Sequence, residues 1–279
     1  MSSAFFLPAE PGNRFCIYHR SADGGTGRGF VYAHPFCEEM NKARRMAALQ
    51  SRRLAAAGYA VLQIDLFGCG DSSGDFADAR WEIWKQDLQI ALGWLKSRVR
   101  GPLGLWGLRL GATLAADVAR DPTMGVEQLL LWQPVSNGEQ FLTQFLRLRL
   151  AAEMLAEGTA QTGVRELRET LARGVPLEIA GYDLHPRLAA EIDALSLADL
   201  VPAVKRVHCL EVTAMAEPKL SPVSRRALEA WRSKGLDVRT AAVRGEPFWS
   251  TLEITECEAL LAATESSLSD ESQAAETRG

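Results

Sequence analysis

The sequence has no run of about 18 apolar residues, the length that a membrane-spanning helix requires. No basic segment precedes the apolar cluster near its N-terminus, so a secretory signal is not expected either. Neither sign of charge predominates, since the chain has 31 Lys and Arg and 35 Asp and Glu, which gives a net charge of −4. Binding to nucleic acid needs a basic surface, so we expect no nucleic-acid partner. These absences predict a cytoplasmic protein with no membrane span.

Cysteine and histidine are scarce, with five and four residues respectively. The cysteines are scattered and never spaced as CxxC, which favours reduced thiols over disulfides or a zinc site. The sequence also lacks GxxxxGK[ST], so a phosphate-binding P-loop is not predicted. We therefore expect no metal and no cofactor.

Short apolar runs with strand character alternate along the chain with helical patterns, as in a doubly wound, mostly parallel sheet. We predict an α/β architecture for the 279 residues. The predicted strands are residues 15–19, 28–33, 60–65, 102–106, 128–133, 207–212 and 238–243, and the predicted helices are 41–57, 80–98, 111–120, 222–234 and 255–263.

One long stretch interrupts this alternation. Residues 136–200 contain helical segments at 139–157, 164–173 and 186–194 and no convincing strand, so we predict a helical lid insertion. Such an insertion either contacts a ligand at the carboxyl ends of the strands or only covers apolar surface. Residues 1–135 and 201–263 would then form the core. The polar segment 264–279 predicts a disordered tail.

The segment GLWGLRLGATLA predicts a strand, a tight turn and a helix. Gly107, Arg109 and Gly111 have the spacing of the nucleophile elbow G-x-S-x-G, with arginine at the serine position. A guanidinium stays protonated and cannot act as the nucleophile. At a helix N-terminus it can bind a carboxylate or phosphate, or it can form an ion pair with an internal carboxylate.

Candidate partners of Arg109 follow the second predicted strand, in the segment HPFCEEMNKARRM. Glu38 and Glu39 could face Arg109, or they could serve as acidic residues at a helix N-terminus. His34 lies near the expected mouth of the site, and Glu217 is the tentative acid. Further candidate ligand-binding residues flank the elbow, the loop and the segment after the last strand; they are Phe36, Leu108, Leu110, Phe248 and Trp249. No histidine follows the last predicted strand, so the expected triad is incomplete.

Together with the loop DLFGCGDSSGDF and the late GEPFW, these segments resemble the type 2 hydrolases associated with the exosortase A system. The resemblance covers roughly residues 25–260. It implies an α/β-hydrolase fold and a link to exopolysaccharide biosynthesis and PEP-CTERM protein sorting. It also implies a hydrolase of the ester or thioester class, with residue 109 at the nucleophile position.

Three hypotheses for function follow. The chain could bind a small anionic ligand through Arg109 without catalysis. It could be an enzyme that acts on an acyl ligand with a reactive group from Cys37, Cys69, Ser72, His34 or a glutamate, with Arg109 stabilising negative charge. It could instead present the lid or the aromatic pair 248–249 to a protein partner. The sequence leaves the oligomeric state open, with a homodimer as one option.

Overall fold

Eight strands form the central sheet of the computed structural model, which describes residues 2–22, 27–157 and 162–276. The strands along the chain are β1 Ser2–Pro8, β2 Asn13–His19, β3 Gly29–Ala33, β4 Ala60–Ile64, β5 Leu103–Leu108, β6 Val126–Trp132, β7 Leu177–Ile179, β8 Tyr182–Leu184, β9 Arg206–Thr213 and β10 Asp237–Arg244. The sheet order is β1-β2-β4-β3-β5-β6-β9-β10. β1 and β2 run antiparallel to their neighbours, and the other six strands are parallel.

Helices cover both faces of this sheet because the side chains of buried parallel strands alternate between two apolar faces. In β6, Leu129 and Leu131 point to the larger core cluster, whereas Leu130 and Trp132 point to the smaller one. The helices are α1 Glu38–Ala56, α2 Trp81–Lys96, α3 Leu110–Val118, α4 Gly138–Glu157, α5 Val164–Ala172, α6 Pro186–Asp193, α7 Pro222–Ser233 and α8 Glu258–Glu276. α1 and α8 pack on the smaller cluster, and α2, α3 and α7 on the larger one.

The doubly wound sheet that the sequence predicts is confirmed. The predicted strands and helices correspond to observed elements whose ends differ by a few residues, except that the last helix, predicted for 255–263, extends to Glu276. β1 was not predicted: it is an edge strand on which only Leu7 is buried, so it carries little of the apolar alternation that marks a strand.

The insertion between β6 and β9 contains α4, α5 and α6, and also the hairpin of β7 and β8. The expectation that residues 136–200 contain no strand is therefore wrong. Each hairpin strand has three residues, too few to show alternation. The two strands are joined at Ala180 and Gly181, which both have positive φ, as a tight two-residue hairpin turn requires.

The C-terminal segment also differs from the prediction of a disordered tail over residues 264–279. α8 continues to Glu276, and residues 277–279 lie outside the described part of the chain. Thr264 and Leu268 are buried. The Thr264 hydroxyl accepts a hydrogen bond from the Trp132 indole at 3.0 Å, so this polar helix is held by contacts that composition does not reveal.

Within the described ranges, no helix combines the length and the apolar character needed to cross a membrane.

Candidate functional site

The candidate site begins at the turn between β5 and α3. Arg109 occupies this turn with φ 56° and ψ −122°, a backbone conformation that costs a non-glycine residue on the order of 1–3 kcal/mol. Hydrogen bonds hold it in place: its N–H donates to the Trp132 carbonyl at 2.9 Å, and its carbonyl accepts from the N–H of Ala112 at 3.0 Å. The backbone therefore presents the Arg109 side chain at the carboxyl end of the sheet.

Three elements surround the Arg109 guanidinium. Its Nε donates to Oε1 of Glu39, in the first turn of α1, at 3.1 Å. Its Cζ lies 5.8 Å from the ring centroid of Phe141, on lid helix α4, and 5.5 Å from that of Trp249, in the segment after β10. The cation is therefore bound to one carboxylate and flanked by two aromatic rings.

The Arg109–Glu39 pair is mostly buried, with about a fifth of each side chain exposed (18% and 20%). Burial raises the pKa of Glu39, and the charge and hydrogen bond of Arg109 oppose that rise. Among the described residues, Oε2 of Glu39 has no hydrogen-bond partner. Of the guanidinium nitrogens, Nε alone has a partner in the same part of the chain, which leaves Nη1 and Nη2 for a ligand.

Arg109 lines a pocket of about 240 Å³ between the core and the lid. Polar side chains make up most of its wall: Gln133, Ser136, Asn137, Gln140, Gln144, Glu211, Ser221 and Ser224. The volume is below the ~300–1,000 Å³ typical of pockets for drug-sized ligands, so the pocket suits a small polar molecule.

Glu211 in β9 is a site residue that the sequence analysis missed. It is 3% exposed, and its Oε2 accepts from the N–H of Ser221, the N-cap of α7, at 2.6 Å. Ser221 Oγ lies 2.9 Å from Ser224 Oγ, which lies 3.0 Å from Ser136 Oγ. The available signal was a carboxylate between Leu210 and Val212 in a predicted strand, since a buried charge needs a specific partner.

Solved structures show what this arrangement of strands and helices is similar to. Est1E from Butyrivibrio proteoclasticus, with bound ferulic acid, has a TM-score of 0.67 at 13% identity, over 96% of this chain and 98% of that one. The proline iminopeptidase of Mycobacterium smegmatis has a TM-score of 0.61 at 14% identity, over 98% and 100%. The mouse alpha/beta hydrolase domain-containing protein 10 has a TM-score of 0.58 at 17% identity, over 96% and 99%.

The chain has the α/β-hydrolase fold. At these identities, the α/β-hydrolase structures establish the fold alone. Neither a protein-family model nor a curated protein sequence matches this chain.

Two residues predicted for catalysis occupy other environments in this α/β-hydrolase fold. Glu217 is exposed on the loop after β9 and pairs with Lys219 at 3.0 Å. His34 is buried, with Nδ1 2.7 Å from the Pro35 carbonyl and Nε2 accepting from the Leu66 N–H at 3.1 Å. Burial also lowers the pKa of His34. Both imidazole nitrogens are engaged by the backbone, which argues against His34 as a general base.

The alternative nucleophiles are held in the hydrolase scaffold. Burial raises the pKa of the thiols of Cys37 and Cys69, which disfavours the thiolate. The Ser72 hydroxyl donates to the Asp65 carbonyl at 2.5 Å and accepts from the Phe15 N–H at 2.9 Å. The glycine-rich loop that contains Cys69 and Ser72 is thus fixed by structural contacts.

The remaining candidate residues of the hydrolase fold mostly pack in its interior. Glu38 is exposed and accepts from the amide of Asn41 at 3.2 Å. Phe36 packs edge-on against Phe141 at 5.7 Å, joining the core to the lid. Buried positions are occupied by Leu108, Leu110, Phe248 and Trp249, and of these Trp249 contacts Arg109.

Burial of Phe248 and Trp249, at 0% and 6% exposure, overturns their interpretation as an exposed surface for a protein partner. Within the described residues, no three His, Cys, Asp or Glu side chains are grouped so as to hold a metal ion.

Proposed function

We propose that this chain is a non-hydrolytic ligand-binding protein in which Arg109 takes the nucleophile position of the α/β-hydrolase fold and binds the acidic group of a small ligand. The observation that carries the proposal is which nitrogens of the Arg109 guanidinium already have a protein partner. Arg109 lines the polar pocket, and only its Nε is used by a protein carboxylate among the described residues. The two remaining nitrogens can form a bidentate contact with a carboxylate or phosphate.

The charge around the pocket is compatible with an acidic ligand despite the two carboxylates. Glu39 lies in the first turn of α1, and Glu211 accepts from the backbone N–H of Ser221, the N-cap of α7. Helix N-termini carry about half a positive charge each, so both carboxylates are partly compensated by the helices they contact. Arg109 itself precedes α3, whose N-terminus adds to the positive potential.

The competing function is an esterase or thioesterase that acts on an acyl ligand. Ester hydrolysis through this elbow needs an oxygen or sulfur nucleophile and a base within hydrogen-bond reach of it. The feature that favours hydrolysis is the line of hydroxyls from Ser221 through Ser224 to Ser136, which borders the same pocket beside Glu211. Glu211, however, already accepts a hydrogen bond from the backbone N–H of Ser221, the N-cap of α7, at 2.6 Å.

An activity assay separates the two functions. We expect no turnover of p-nitrophenyl acetate, butyrate or octanoate, or of butyryl thioesters, above the rate of the Arg109→Gln/Glu39→Gln variant. Turnover by the wild type that is lost in Ser224→Ala would establish a hydrolase and overturn the binding proposal.

A matched pair of ligands tests recognition of the anion. Benzoate should raise the melting temperature of the wild type, because a ligand that binds only the native state stabilises it. Benzamide, which has a similar shape and no charge, should not raise it, and the double variant should respond to neither. Equal shifts with benzoate and benzamide would show that Arg109 does not select a charge.

The association with the exosortase A system and exopolysaccharide biosynthesis, and a cytoplasmic location, belong to the same proposal. The association with the exosortase A system is supported by the segments that carry the sequence resemblance. Three of those segments supply Glu39, Arg109 and Trp249, which meet in one cluster. Deletion of the gene should change exopolysaccharide output, and a copy with Arg109→Gln should not restore it. Full restoration of exopolysaccharide output by that copy would show that a role in exopolysaccharide biosynthesis does not depend on the Arg109 site.

A further inference from the structure

We infer that the ligand of the Arg109 pocket is a polyhydroxylated carboxylic acid about the size of one sugar unit. This inference rests on the proposed function, because it takes the carboxylate to bind at Arg109. It adds the chemistry of the rest of the ligand, which follows from the wall of the pocket.

Much of the pocket wall consists of side chains that both donate and accept hydrogen bonds. Ser136 is partly exposed, and its Oγ lies 3.0 Å from that of Ser224, which is 2% exposed and also accepts from the Ser221 hydroxyl at 2.9 Å. Ser136 is therefore the hydroxyl of this line that stays available to donate to and accept from a ligand. Gln140 and Gln144, exposed on α4, add amide groups with the same dual character. Hydroxyl groups of a ligand match such partners, because they too donate and accept.

An ammonium group fits this wall less well than hydroxyls do. It can only donate, and its natural partner would be the carboxylate of Glu211. Glu211 is 3% exposed, and its Oε2 already accepts from the backbone of Ser221 at 2.6 Å. The carboxylate therefore organises the serine hydroxyls and is not presented to an amine, which argues against an amino acid as the ligand.

A long acyl chain is also disfavoured. The pocket of about 240 Å³ has four apolar lining residues, Pro134, Val135, Phe141 and Val223, among thirteen. Phe141 already lies 5.8 Å from the Arg109 cation, where it can also cover the face of a sugar ring. Burying an alkyl chain against the amide and hydroxyl wall would leave those polar groups without partners, which costs binding free energy.

Calorimetric titration with three probes tests the inference. D-glucuronate carries both a carboxylate and hydroxyls, hexanoate carries the carboxylate alone, and D-glucose carries hydroxyls alone. We expect D-glucuronate to bind at least tenfold more tightly than either of the others. Ser136→Ala should weaken binding of D-glucuronate about fivefold to tenfold. Ser224→Ala removes the hydrogen bond that positions the Ser136 hydroxyl and should weaken that binding less, and both variants should leave binding of hexanoate unchanged.

Ser233→Ala is the matched control, since Ser233 ends the same helix as Ser224 and its hydroxyl bonds only to the Ala230 carbonyl among the described residues. It should change neither affinity. Equal affinities for hexanoate and D-glucuronate would overturn the inference and leave the proposed anion site intact. Equal affinities for D-glucose and D-glucuronate, unchanged in Arg109→Gln/Glu39→Gln, would overturn the proposed function itself. Binding of none of the three would overturn both.

Discussion

At the scale of single residues, the Arg109–Glu39 pair joins the turn after β5 to the first turn of α1. Guanidinium and carboxylate compensate each other's loss of hydration, and the aromatic rings of Phe141 and Trp249 complete the surroundings of the cation. Removing either partner leaves the other charge without compensation in a mostly buried place. The pair therefore has a role in stability as well as the proposed role in binding.

The first prediction concerns this pair. Arg109→Gln should lower the free energy of unfolding at neutral pH by about 2 kcal/mol, less than the cost of breaking a fully buried pair because a fifth of each side chain is exposed. Adding Glu39→Gln should recover part of the loss. Chemical denaturation measures both changes.

Lys219→Gln is the control for that experiment, because it breaks the exposed pair with Glu217 and should cost less than about 0.5 kcal/mol. Equal effects of Arg109→Gln and Lys219→Gln would show that the buried pair contributes no more than a surface pair.

The second prediction concerns pH. The pKa of Glu39 is raised, so Glu39 becomes neutral as the pH falls through that pKa and then competes less for Arg109. Binding of benzenesulfonate, which stays ionised throughout, should strengthen as the pH is lowered from neutrality towards the raised pKa of Glu39. In Glu39→Gln, titration calorimetry should show a nearly flat profile; a profile that still follows that of the wild type would assign the pH dependence to another group.

The contribution of Glu39 to stability, like the binding of benzenesulfonate, should increase as the pH falls. A raised pKa in the folded state means that the contribution of Glu39 to folding is favourable at low pH and is lost as the pH rises through its folded pKa.

How far the sequence predicts the site can be argued from particular residues. Arg109 and Glu39 were identifiable because the elbow spacing is local and the two glutamates follow the neighbouring strand. Which glutamate faces Arg109 depends on the rotation of α1, and Glu38 and Glu39 differ by about 100° around a helix. Glu211 and Phe141 could not be assigned, because their closeness to Arg109 depends on strand order and lid placement.

At the scale of elements, the turn from β5 to α3 requires residues without a Cβ. A Cβ on Gly111 would come within 2.3 Å of the His34 carbonyl oxygen and 2.4 Å of the Ala33 carbonyl oxygen, both backbone atoms of the neighbouring connection. The close approach of α3 to the end of β3 is what brings Arg109 next to Glu39.

The third prediction compares two glycines in helices. Gly111→Ala should destabilise the protein by more than about 2 kcal/mol, because backbone must move to accept the methyl group. Gly93→Ala, in α2 with open space around it, should stabilise the protein by roughly 0.5–1 kcal/mol through helix propensity. Thermal unfolding of both variants provides the comparison, and a Gly111→Ala variant as stable as the wild type would contradict the close approach.

The fourth prediction concerns α8, for which the sequence suggested a disordered tail. Leu268 is 2% exposed and belongs to the smaller core cluster, so Leu268→Ala should cost about 2–4 kcal/mol. Leu252→Ala is the matched control, since Leu252 is 94% exposed and should change stability little. Equal denaturation midpoints for the two variants would mean that the segment beyond residue 263 does not pack on the sheet.

At the scale of the whole molecule, the parallel strands bring distant segments to one edge of the sheet. In the register of the sheet, Leu108 pairs with Trp132, and Trp132 pairs with Leu210. The residues that come next in these three strands, Arg109, Gln133 and Glu211, therefore lie side by side along that edge. The alternation of strands and helices was enough to predict this architecture. The hairpin of β7 and β8 and the packed end of α8 were not predicted, because three-residue strands and a polar helix give weak local signals.

The most direct test of the Arg109 site is a crystal structure of the protein soaked in 4-bromobenzoate, whose bromine can be located by anomalous scattering. We predict the carboxylate within about 2.7–2.9 Å of the Nη atoms of Arg109. Its ring should lie in the pocket between α4 and α7. A bromine position elsewhere, or Nη atoms bound to a second protein carboxylate, would contradict the assignment of Arg109 as an anion-binding residue.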